Sequence, residues 1–527
     1  MQRPQGFAKI IIVLTTITAA VMELLDTTIV NVALNQIAGN LGATIEDIAW
    51  VITSYAIANV IIIPMTGFLG EYFGRKNYYL GSMILFGIAS YFCGMSDSLW
   101  ELVFWRFFQG IGGGALLSTS QAILFDAFEV EDRPIASGFF GMGIILGPSL
   151  GPVLGGYLVD NYEWNDIFYV NIPVCILATI LTIVFIDRKE GEGQHRKTME
   201  IDYIGIALLT LGIGNLQYIL EKGESENWFE SRTINTMAGL CAIGLIGFIW
   251  RELTTEHPVI NLKIFKNKVF AMSTVFNLVS GFGLFTSVFI YPIMVQRING
   301  LSSTETGLSL MYPTLLGVIL FPMIAKYLSL GGKPIPVMGV GICIFIIFGF
   351  IGGSATPEMG RWDFFPMHLL RMMGVAMLQM PLINQAVAGL KPSEYPAGIA
   401  LSNMIRQLGG AFGIAVANNY ATHRAAQHRT DLLANIQVEN PLFQQRIQGL
   451  TQNMMQKTGD IVRSGEAAYR QLDAMVNKQA YYLAYLDTFR LVSILFMCIL
   501  PFLWLLRTPK KTKEELEKIM KASEEAH

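Results

Sequence analysis

The stretch that decides the fold is GMGIILGPSLGPVLGG, residues Gly141 to Gly156. It lies inside an apolar segment of helix length, although in water each glycine weakens a helix by about 1 kcal/mol and each proline by about 3 kcal/mol. Glycines at every fourth position let a second backbone approach closely, which is how helices associate in lipid. Pro148 and Pro152 add bends. The stretch therefore predicts a closely packed, bendable helix inside a membrane.

The composition points the same way. Hydrophobic residues make up 52% of the 527 residues and charged residues 15%, whereas an average soluble protein carries about 25% charged residues. The net charge of −3 gives no indication of a nucleic-acid partner. The five cysteines are scattered through apolar segments, so we expect neither a disulfide framework nor a metal site. The chain is expected to be an all-α integral membrane protein.

A membrane span needs about 20 apolar residues, and the sequence holds fourteen candidates in an order of six, two and six. Two six-helix halves are a common transporter architecture, with the substrate site near the midplane. We predict a six-helix bundle at 1–186, a charged linker at 187–201, two additional spans at 202–251, a second bundle at 252–507 and a tail at 508–527. The predicted spans are 8–34, 46–70, 77–96, 99–125, 134–158, 167–186, 202–221, 233–251, 268–294, 305–328, 335–353, 364–389, 395–423 and 487–507.

Lysine and arginine indicate the orientation, because short cytoplasmic loops carry an excess of them. With both termini inside, the N-terminal tail and the inner loops hold sixteen of these residues, and the C-terminal tail holds six. The short outer loops hold four. We therefore expect cytoplasmic N and C termini.

The long predicted outer loop at 424–486 is polar, with apolar residues at helical spacing. Asn440 followed by Pro441 is typical of a helix start, because proline is favoured at the first helical position. We expect a helical extension or hairpin that continues into the last span. It is interpreted either as a solvated cap over the outer vestibule or as a docking surface for another protein.

Two acids in the first span, Glu23 and Asp26, lie three residues apart and share a helix face. An ionisable side chain at the centre of a span costs at least about 2.5–3.5 kcal/mol, so it usually has a function or a partner. Two neighbouring carboxylates in low dielectric cannot both ionise easily. We interpret them as proton carriers. The alternatives are a carboxylate that caps backbone groups and, for Glu23, simple solvation.

Basic side chains also occur inside predicted spans. Arg106, one turn before Gln109, needs a carboxylate or carbonyl partner because a guanidinium stays charged. When Arg106 approaches an acid, it favours the ionised form of that acid, and when Arg106 moves away, the protonated form is favoured. The alternative is a permanent, structural ion pair. Arg406 is expected either to line the cavity or to clamp its helix to a neighbour. His368 and Arg371 are expected to snorkel to the interface.

The loop GFLGEYFGRK, from Gly67 to Lys76, predicts a tight turn. Glycines such as Gly74 permit the turn. Glu71, Arg75 and Lys76 can pair across the inner face and hold one conformation. A plain positively charged loop is the alternative.

Methionines and aromatic side chains in the spans suit a pocket for varied apolar ligands, with ordinary packing as the alternative. The candidate cavity residues are Asn31, Tyr55, Gln109, Met377, Gln379 and Arg406. The sequence has neither the HExxH nor the GxxxxGK[ST] motif. We expect no enzyme, no metal and no cofactor, and an ion gradient instead of ATP as the energy source.

Together these motifs resemble those of the major facilitator superfamily and, more narrowly, of the fourteen-helix drug:proton antiporters of the EmrB/QacA type. GFLGEYFGRK is similar to the superfamily's loop between helices two and three, with Glu71 in place of the usual aspartate. RFFQGIGGG resembles the helix-four motif, and LLDTTIVNVAL resembles the helix-one motif with Asn35 where proline is common. WNDIFYVNIP resembles the element that opens helix six, with Asn165 and Asp166 in place of the usual arginine and tryptophan. GPSLGPVLGG resembles the helix-five antiporter motif, whose residues here are Gly147, Pro148, Gly151, Pro152, Gly155 and Gly156.

The resemblance implies proton-coupled export of amphipathic, often cationic or aromatic, compounds by alternating access, with Asp26, Glu23 and Arg106 in proton coupling. The antiporter motif is expected to form a tight contact between the halves. The long outer loop implies a bacterial inner-membrane pump that works with a periplasmic adaptor and an outer-membrane channel.

Other functions remain open at this point. A dedicated exporter would carry one physiological compound, such as a siderophore, a lipid or a bile acid. A membrane enzyme would need a catalytic constellation, and a sensor would need a cytoplasmic output domain; the sequence favours transport over both.

Overall fold

The computed structural model describes residues 6–129, 132–187, 201–255, 258–391, 394–434, 436–437, 439–458 and 460–506, and all regular elements in these ranges are helical. The predicted linker at 187–201 falls almost wholly within 188–200, and the predicted tail at 508–527 falls wholly within 507–527; both of these ranges lie outside the described residues. The first eight helices are α1 (Phe7–Leu41), α2 (Ile45–Ile48), α3 (Trp50–Phe73), α4 (Arg75–Met95), α5 (Leu99–Asp126), α6 (Arg133–Asn161), α7 (Asp166–Tyr169) and α8 (Asn171–Phe185).

Two helices follow, α9 (Tyr203–Lys222) and α10 (Arg232–Thr254). The remaining helices are α11 (Lys268–Met294), α12 (Ser303–Val318), α13 (Leu320–Ser329), α14 (Pro334–Gly352), α15 (Phe365–Ala388), α16 (Tyr395–Ala434), α17 (Pro441–Thr458) and α18 (Ile461–Ile499). We call α1–α8 the N-half and α11–α18 the C-half.

Twelve helices of the described part are long and apolar enough to cross a membrane. Two more, α5 and α15, have 28 and 24 residues but carry polar and charged side chains. These long helices coincide with the predicted spans to within a few residues at most boundaries. The predicted span at 305–328 is divided into α12 and α13, because Pro322 has no N–H to bond the Val318 carbonyl.

The glycines of α5 allow it to lie directly on its neighbours. A Cβ on Gly110 would lie 2.5 Å from the Tyr55 carbonyl oxygen, and one on Gly114 would lie 2.7 Å from the Asn59 carbonyl oxygen, both in α3. On another side, a Cβ on Gly112 would lie 2.8 Å from the Phe86 nitrogen in α4. Side chains at these positions would push the helices apart, so the GIGGG run fixes α5 between α3 and α4.

The halves meet at the end of the bundle where α3 turns into α4, which we call the Gly74 end. Gly74 has φ +84°, a conformation that favours glycine. At this end the Gly67 position of α3 lies against the Ala397 backbone of α16. The Ser137 hydroxyl of α6 donates to Asn384 Oδ1 of α15 at 2.9 Å. These contacts close the Gly74 end.

A second contact between the halves runs along α6 and α12. The Ser149 and Thr314 hydroxyls are hydrogen-bonded at 3.1 Å. Near the opposite end of the helices, the Thr304 hydroxyl donates to Asp160 at 3.3 Å. The α6 helix therefore spans the interface over most of its length.

The additional helices α9 and α10 form a pair beside the N-half. A Cβ on Gly212 would lie 2.9 Å from the Leu245 nitrogen of α10, so the two backbones touch. The Gly214 position faces the Ile61 side chain of α3, 3.3 Å from its Cδ1. Arg251 Nε donates to Asp202 Oδ2 at 2.9 Å and joins the end of α10 to the start of α9.

The predicted helical extension after residue 423 is confirmed. The α16 helix continues to Ala434, and α18 begins at Ile461 and runs into the last span. Between them, α17 starts at Pro441, and Asn440 Oδ1 accepts a hydrogen bond from the Leu442 N–H at 2.9 Å. We call the segment of α17 and the first half of α18 the α17–α18 hairpin.

Candidate functional site

A buried ion pair lies at the centre of the N-half. Asp26 Oδ2 of α1 and Arg106 Nη1 of α5 are 2.5 Å apart, and their side chains are 0% and 1% exposed. Arg106 Nε also donates to the Val51 carbonyl at 3.2 Å, and Arg106 Nη1 donates to Gln109 Oε1 at 2.7 Å. The Tyr55 ring lies 4.1 Å from the guanidinium carbon. Arg106 thus has both a carboxylate and a carbonyl partner.

Neutral side chains complete the surroundings of Asp26. Its Oδ1 accepts from Gln109 Nε2 at 3.0 Å and from Asn171 Nδ2 at 2.8 Å. Both amides also donate to Ser90 Oγ, which donates in turn to the Phe168 carbonyl at 3.1 Å. The Asp26 carboxylate therefore has donors on both oxygens. Sequence reasoning missed Ser90 and Asn171, although Asn171 stands in the WNDIFYVNIP motif.

Glu23 occupies a separate site one turn from Asp26. It is fully buried, and its Oε1 accepts from Asn59 Nδ2 at 3.0 Å. Within the described part of the chain its Oε2 has no hydrogen-bond partner. Asn59 Oδ1 accepts from Gln407 Nε2 of α16 at 2.7 Å. One amide thus connects a buried acid of the N-half to the C-half.

A pocket lies between the halves, with walls from α5, α6, α11, α15 and α16. Of the six predicted cavity residues, Gln379 and Arg406 line it. Gln379 Nε2 donates to Ser280 Oγ at 2.5 Å. Arg406 therefore lines a cavity, and its backbone also packs against the Gly281 position of α11. The pocket is lined by Gln121, Ile144, Asn277, Gln379, Ile383, Ala386, Val387, Ile399, Ser402, Asn403 and Arg406.

The other four predicted cavity residues lie elsewhere. Gln109 belongs to the Asp26 network, and Tyr55 stacks on Arg106. Met377 packs against the Gly341 backbone position of α14, inside the C-half. Asn31 is an exposed residue of α1. Helical spacing did not separate these residues from those of the pocket, because it gives a face of a helix but not its neighbour.

The glycine stripe of α6 (Gly147, Gly151 and Gly155) was expected to contact the C-half, and this expectation was wrong. The Gly147, Gly151 and Gly155 positions lie against α1 of the same half; a Cβ on Gly147 would lie 2.7 Å from Leu24 Cβ. The residues that meet the C-half include Gly138, Gly141 and Gly156, on another side of the helix. Residues four apart share one face, and that face packs within the N-half. Pro148 and Pro152 lie within α6, as the motif requires.

The expectation that His368 and Arg371 snorkel to the interface was also wrong. Their exposed fractions are 0% and 1%. The His368 ring lies 4.0 Å from the Tyr291 ring of α11, and Arg371 Nη1 is 3.5 Å from Ser287 Oγ. They lie on the side of α15 that packs on α11, so burial within the bundle, and not distance from the helix end, sets their surroundings.

Arg75 of the GFLGEYFGRK turn forms an ion pair, but the acid of this pair lies outside the motif. Arg75 forms an ion pair with Asp126 at the end of α5. Lys76 Nζ donates to the Ile183 carbonyl at the end of α8. The turn thus connects α4 to α5 and α8, while Gly67 contacts the C-half. Glu71 also has an interaction partner.

The sequence GPSLG, from Gly147 to Gly151, has the letters of the G-x-S-x-G pattern of hydrolases. In those enzymes the serine stands on a strand-to-helix turn. Here Ser149 lies in the middle of α6, where its hydroxyl donates to the Ile145 carbonyl at 3.0 Å. The match therefore does not indicate a nucleophile.

Comparison with known families identifies the architecture. The model of the Major Facilitator Superfamily matches residues 16–414. The chain belongs to this superfamily. It is a multi-pass inner-membrane transporter and not an enzyme.

Curated relatives cover nearly the whole chain. The multidrug export protein EmrB of Escherichia coli strain K12 is 31% identical over 520 residues, which are 96% of this chain and 97% of EmrB. The fatty acid resistance protein FarB of Neisseria gonorrhoeae is 30% identical over 495 residues, 93% of this chain and 94% of FarB. The narrower resemblance to EmrB-type proteins is thereby confirmed.

Solved structures share the fold at low identity. The human organic anion transporter MFSD10 has a TM-score of 0.59 and 14% identity, with 95% of this chain and 100% of that chain covered. The proton:xylose symporter XylE has a TM-score of 0.57 and 15% identity, with 97% and 98% covered. At this identity they show the fold alone.

Proposed function

We propose that the protein is a proton-coupled exporter of amphipathic compounds that works by alternating access of its two halves, with fourteen spans. The buried ion pair of Asp26 and Arg106 is the observation that carries the proposal. A carboxylate in the interior of a membrane protein is costly and usually functional. Multidrug export, which the name of EmrB states for that relative, supports efflux as the direction of transport.

The arrangement around Asp26 leaves Arg106 with hydrogen-bond partners when Asp26 binds a proton. When Asp26 is protonated, Arg106 loses its charged partner but keeps the Val51 carbonyl, Gln109 and the Tyr55 ring. The guanidinium therefore remains satisfied in both states. A charge that is buried without partners would cost several kcal/mol (about 3–5 kcal/mol). Asp26 is the proton site in this proposal, and Arg106 is the residue that favours its ionised form.

Glu23 is proposed as a second proton site, close to the contact between the halves. Its free oxygen and its link through Asn59 to Gln407 support this role. A change in the charge of Glu23 alters the strength of the hydrogen bond from Asn59, since bonds to charged acceptors are stronger. Protonation of Glu23 thereby changes a hydrogen bond at the interface between the halves.

We assign the Gly74 end to the cytoplasm, together with both termini. The excess of lysine and arginine in the loops at this end supports the assignment. In the proposed cycle the structure has its cytoplasmic side closed, and Gly67, Glu71, Gly74, Arg75 and Lys76 hold that state. The proton gradient is the proposed energy source, without a cofactor.

The substrates are proposed to be amphipathic small molecules. A dedicated exporter of one lipid-like compound is the second candidate, and the name of FarB, a fatty acid resistance protein, is compatible with it.

The α17–α18 hairpin is the proposed docking site for a periplasmic adaptor, which would connect the pump to an outer-membrane channel. Large apolar side chains are exposed on it; Leu442 is 73% exposed and Val462 69%. Exposed apolar clusters mark interaction sites. Deletion of 441–460 should abolish co-purification with an adaptor and leave transport in proteoliposomes intact. Retained co-purification would contradict the docking role.

Transport in proteoliposomes tests the proposal. With an imposed pH gradient, we expect Nile red, a neutral amphipathic dye, to be driven across the membrane by the wild-type protein. Asp26→Asn should abolish gradient-driven movement, whereas Asp97→Asn, which changes an exposed loop acid, should leave it unchanged. Equal transport by Asp26→Asn and the wild type would refute the proposed proton site.

A further inference from the structure

The pocket between the halves contains hydrogen-bond donors that have no acceptor within the described part of the chain. Asn277 Nδ2 and Ser402 Oγ both belong to residues that line it, and both are buried without a partner among the described residues. Arg406 is 5% exposed, and in the described part of the chain its hydrogen bond is the long one to Asn403 Oδ1, at 3.4 Å. Buried donors are normally satisfied, so a group of unsatisfied donors around one pocket indicates a missing acceptor.

The charge of Arg406 is likewise unmatched inside the pocket. None of the described residues that line the pocket is an acid. Glu23 does not line the pocket, and among the described residues it forms neither a hydrogen bond nor an ion pair with Arg406. A buried guanidinium that has neither a carboxylate beside it nor short hydrogen bonds is strongly disfavoured unless an anion binds there. The missing group is therefore an anionic hydrogen-bond acceptor.

Apolar side chains also line the pocket, beside the polar Gln121, Gln379 and Asn403. Ile144 of α6, Ile383 and Val387 of α15 and Ile399 of α16 lie around the polar groups. A ligand that fits this wall carries a hydrocarbon part beside its charged end. A cationic headgroup would instead meet Arg406 with like charge, which costs binding free energy.

We propose that this pocket binds the carboxylate headgroup of an amphipathic anion, with Arg406 as the counter-ion and Asn277 and Ser402 as hydrogen-bond donors. The hydrocarbon part lies along the apolar wall. The assignment deepens the proposed export function and rests on it, because it names the substrate class that the pump accepts. It differs from the cationic substrates that the sequence resemblance implies.

Binding to the full-length protein in phosphatidylcholine nanodiscs tests the assignment. The probes are decanoate and decanamide, which have the same chain but differ in charge. Calorimetric titration, corrected with empty nanodiscs, should show decanoate binding about ten-fold or more tightly than decanamide, because hydrogen bonds to charged groups are the stronger ones. Equal affinities would overturn the proposal.

Substitutions of the pocket residues test which side chains bind the headgroup. Arg406→Gln should weaken decanoate binding by about ten-fold or more and leave decanamide binding unchanged, and Arg406→Lys should retain part of the difference. Asn277→Ala, which leaves every charge in place, should weaken decanoate binding by a smaller factor. Arg446→Gln, an exposed arginine of α17, is the matched control and should have no effect. Unchanged decanoate affinity in both Arg406→Gln and Asn277→Ala would overturn the site.

A lipid phosphate is the competing occupant of the pocket, and the lipid composition of the nanodisc distinguishes the two. In nanodiscs enriched in phosphatidylglycerol, decanoate affinity should stay the same; a large loss would mean that a lipid phosphate occupies the pocket, which overturns the carboxylate assignment. The binding assay does not depend on Asp26. If Asp26→Asn transports normally while Arg406→Gln loses decanoate binding, the proton site fails and the headgroup site stands.

Discussion

Gln407 of the C-half donates a hydrogen bond to Asn59 of the N-half across 2.7 Å. The other end of the Asn59 amide donates to Glu23, which is fully buried. The acid that we propose as a second proton site is thus one side chain away from the contact between the halves. This relationship gives protonation a direct physical route to the conformational equilibrium.

Two substitutions of Glu23 separate the effect of its charge from the effect of its hydrogen bond with Asn59. Glu23→Gln keeps an acceptor for Asn59, so the melting temperature of the purified protein should stay close to that of the wild type, while proton-driven export falls. Glu23→Leu leaves Asn59 Nδ2 unsatisfied and should lower the free energy of unfolding by about 1–3 kcal/mol. Thermal melting and export in proteoliposomes measure the two effects. Wild-type export by Glu23→Gln would remove Glu23 from the coupling scheme.

Asn171 should contribute to export through its hydrogen bond to Asp26. Its amide donates to Asp26 Oδ1 at 2.8 Å, and hydrogen bonds to charged acceptors are the stronger ones. Asn171→Ala removes this donor and should lower the rate of gradient-driven export in proteoliposomes by about ten-fold. The control is Asn161→Ala, an exposed asparagine, and an export rate equal to that of the control would show that Asn171 does not act on Asp26.

The close contact between the glycine stripe of α6 and α1 predicts that a larger side chain in the stripe disrupts the packing of these helices. A Cβ on Gly147 would lie 2.7 Å from Leu24 Cβ, so Gly147→Ala must separate α6 from α1 or distort both, at a cost of about 1–3 kcal/mol. Gly81→Ala in α4 is the matched control, because a Cβ there meets nothing within 4 Å. Gly147→Ala should lower the melting temperature and the export rate without moving the pH profile. A normal melting temperature would show that the helices are not in contact at Gly147.

Asp202 immediately precedes α9 (Tyr203–Lys222) and predicts an acid-sensitive contact at the end of this helix. Burial alone would raise the pKa of Asp202, but the hydrogen bonds from Arg251 and the Gly205 N–H outweigh it and hold the pKa below the ordinary value of 3.8. A lowered pKa in the folded state stabilises the protein above the unfolded value, and this stabilisation is lost as the pH falls through the folded one. Asp202→Asn keeps an oxygen for the Gly205 N–H but loses the ion pair.

The melting temperature of Asp202→Asn should therefore be lower than that of the wild type at pH 7. The difference should shrink as the pH falls below the ordinary value of 3.8 and towards the lowered pKa of Asp202 in the folded wild type. Differential scanning fluorimetry in detergent at both pH values measures it. A difference that is equal at pH 7 and pH 3 would exclude the ion pair as its cause.

Much of the fold could be predicted from the sequence, because the bilayer imposes strong local requirements. Spans are recognisable by their length and apolarity, and the need of Arg106 for a partner follows from its permanent charge. The spacing of Gly147, Gly151 and Gly155 correctly indicates a close helix contact. It does not say which helix is in contact, since that depends on pairings between distant parts of the chain.

The parts of the site that the sequence did not reveal are neutral amides and hydroxyls. Ser90, Asn171 and Asn59 cost little in a span compared with a charge, so nothing in the local pattern distinguishes them from packing residues. The burial of His368 and Arg371 was missed for a related reason. Their distance from the end of a helix is visible in the sequence, but the side of the bundle that they face is not.

The central claim is that Asp26 binds and releases the transported proton in exchange for substrate, and proton release from the purified protein tests it most directly. Nile red, which carries no titratable proton in this pH range, is added to the detergent-solubilised protein in weakly buffered solution with a pH indicator. We predict that the wild type and Asp97→Asn release protons when the dye binds, and that Asp26→Asn binds the dye but releases fewer protons. Proton release by Asp26→Asn equal to that of the wild type would contradict the account.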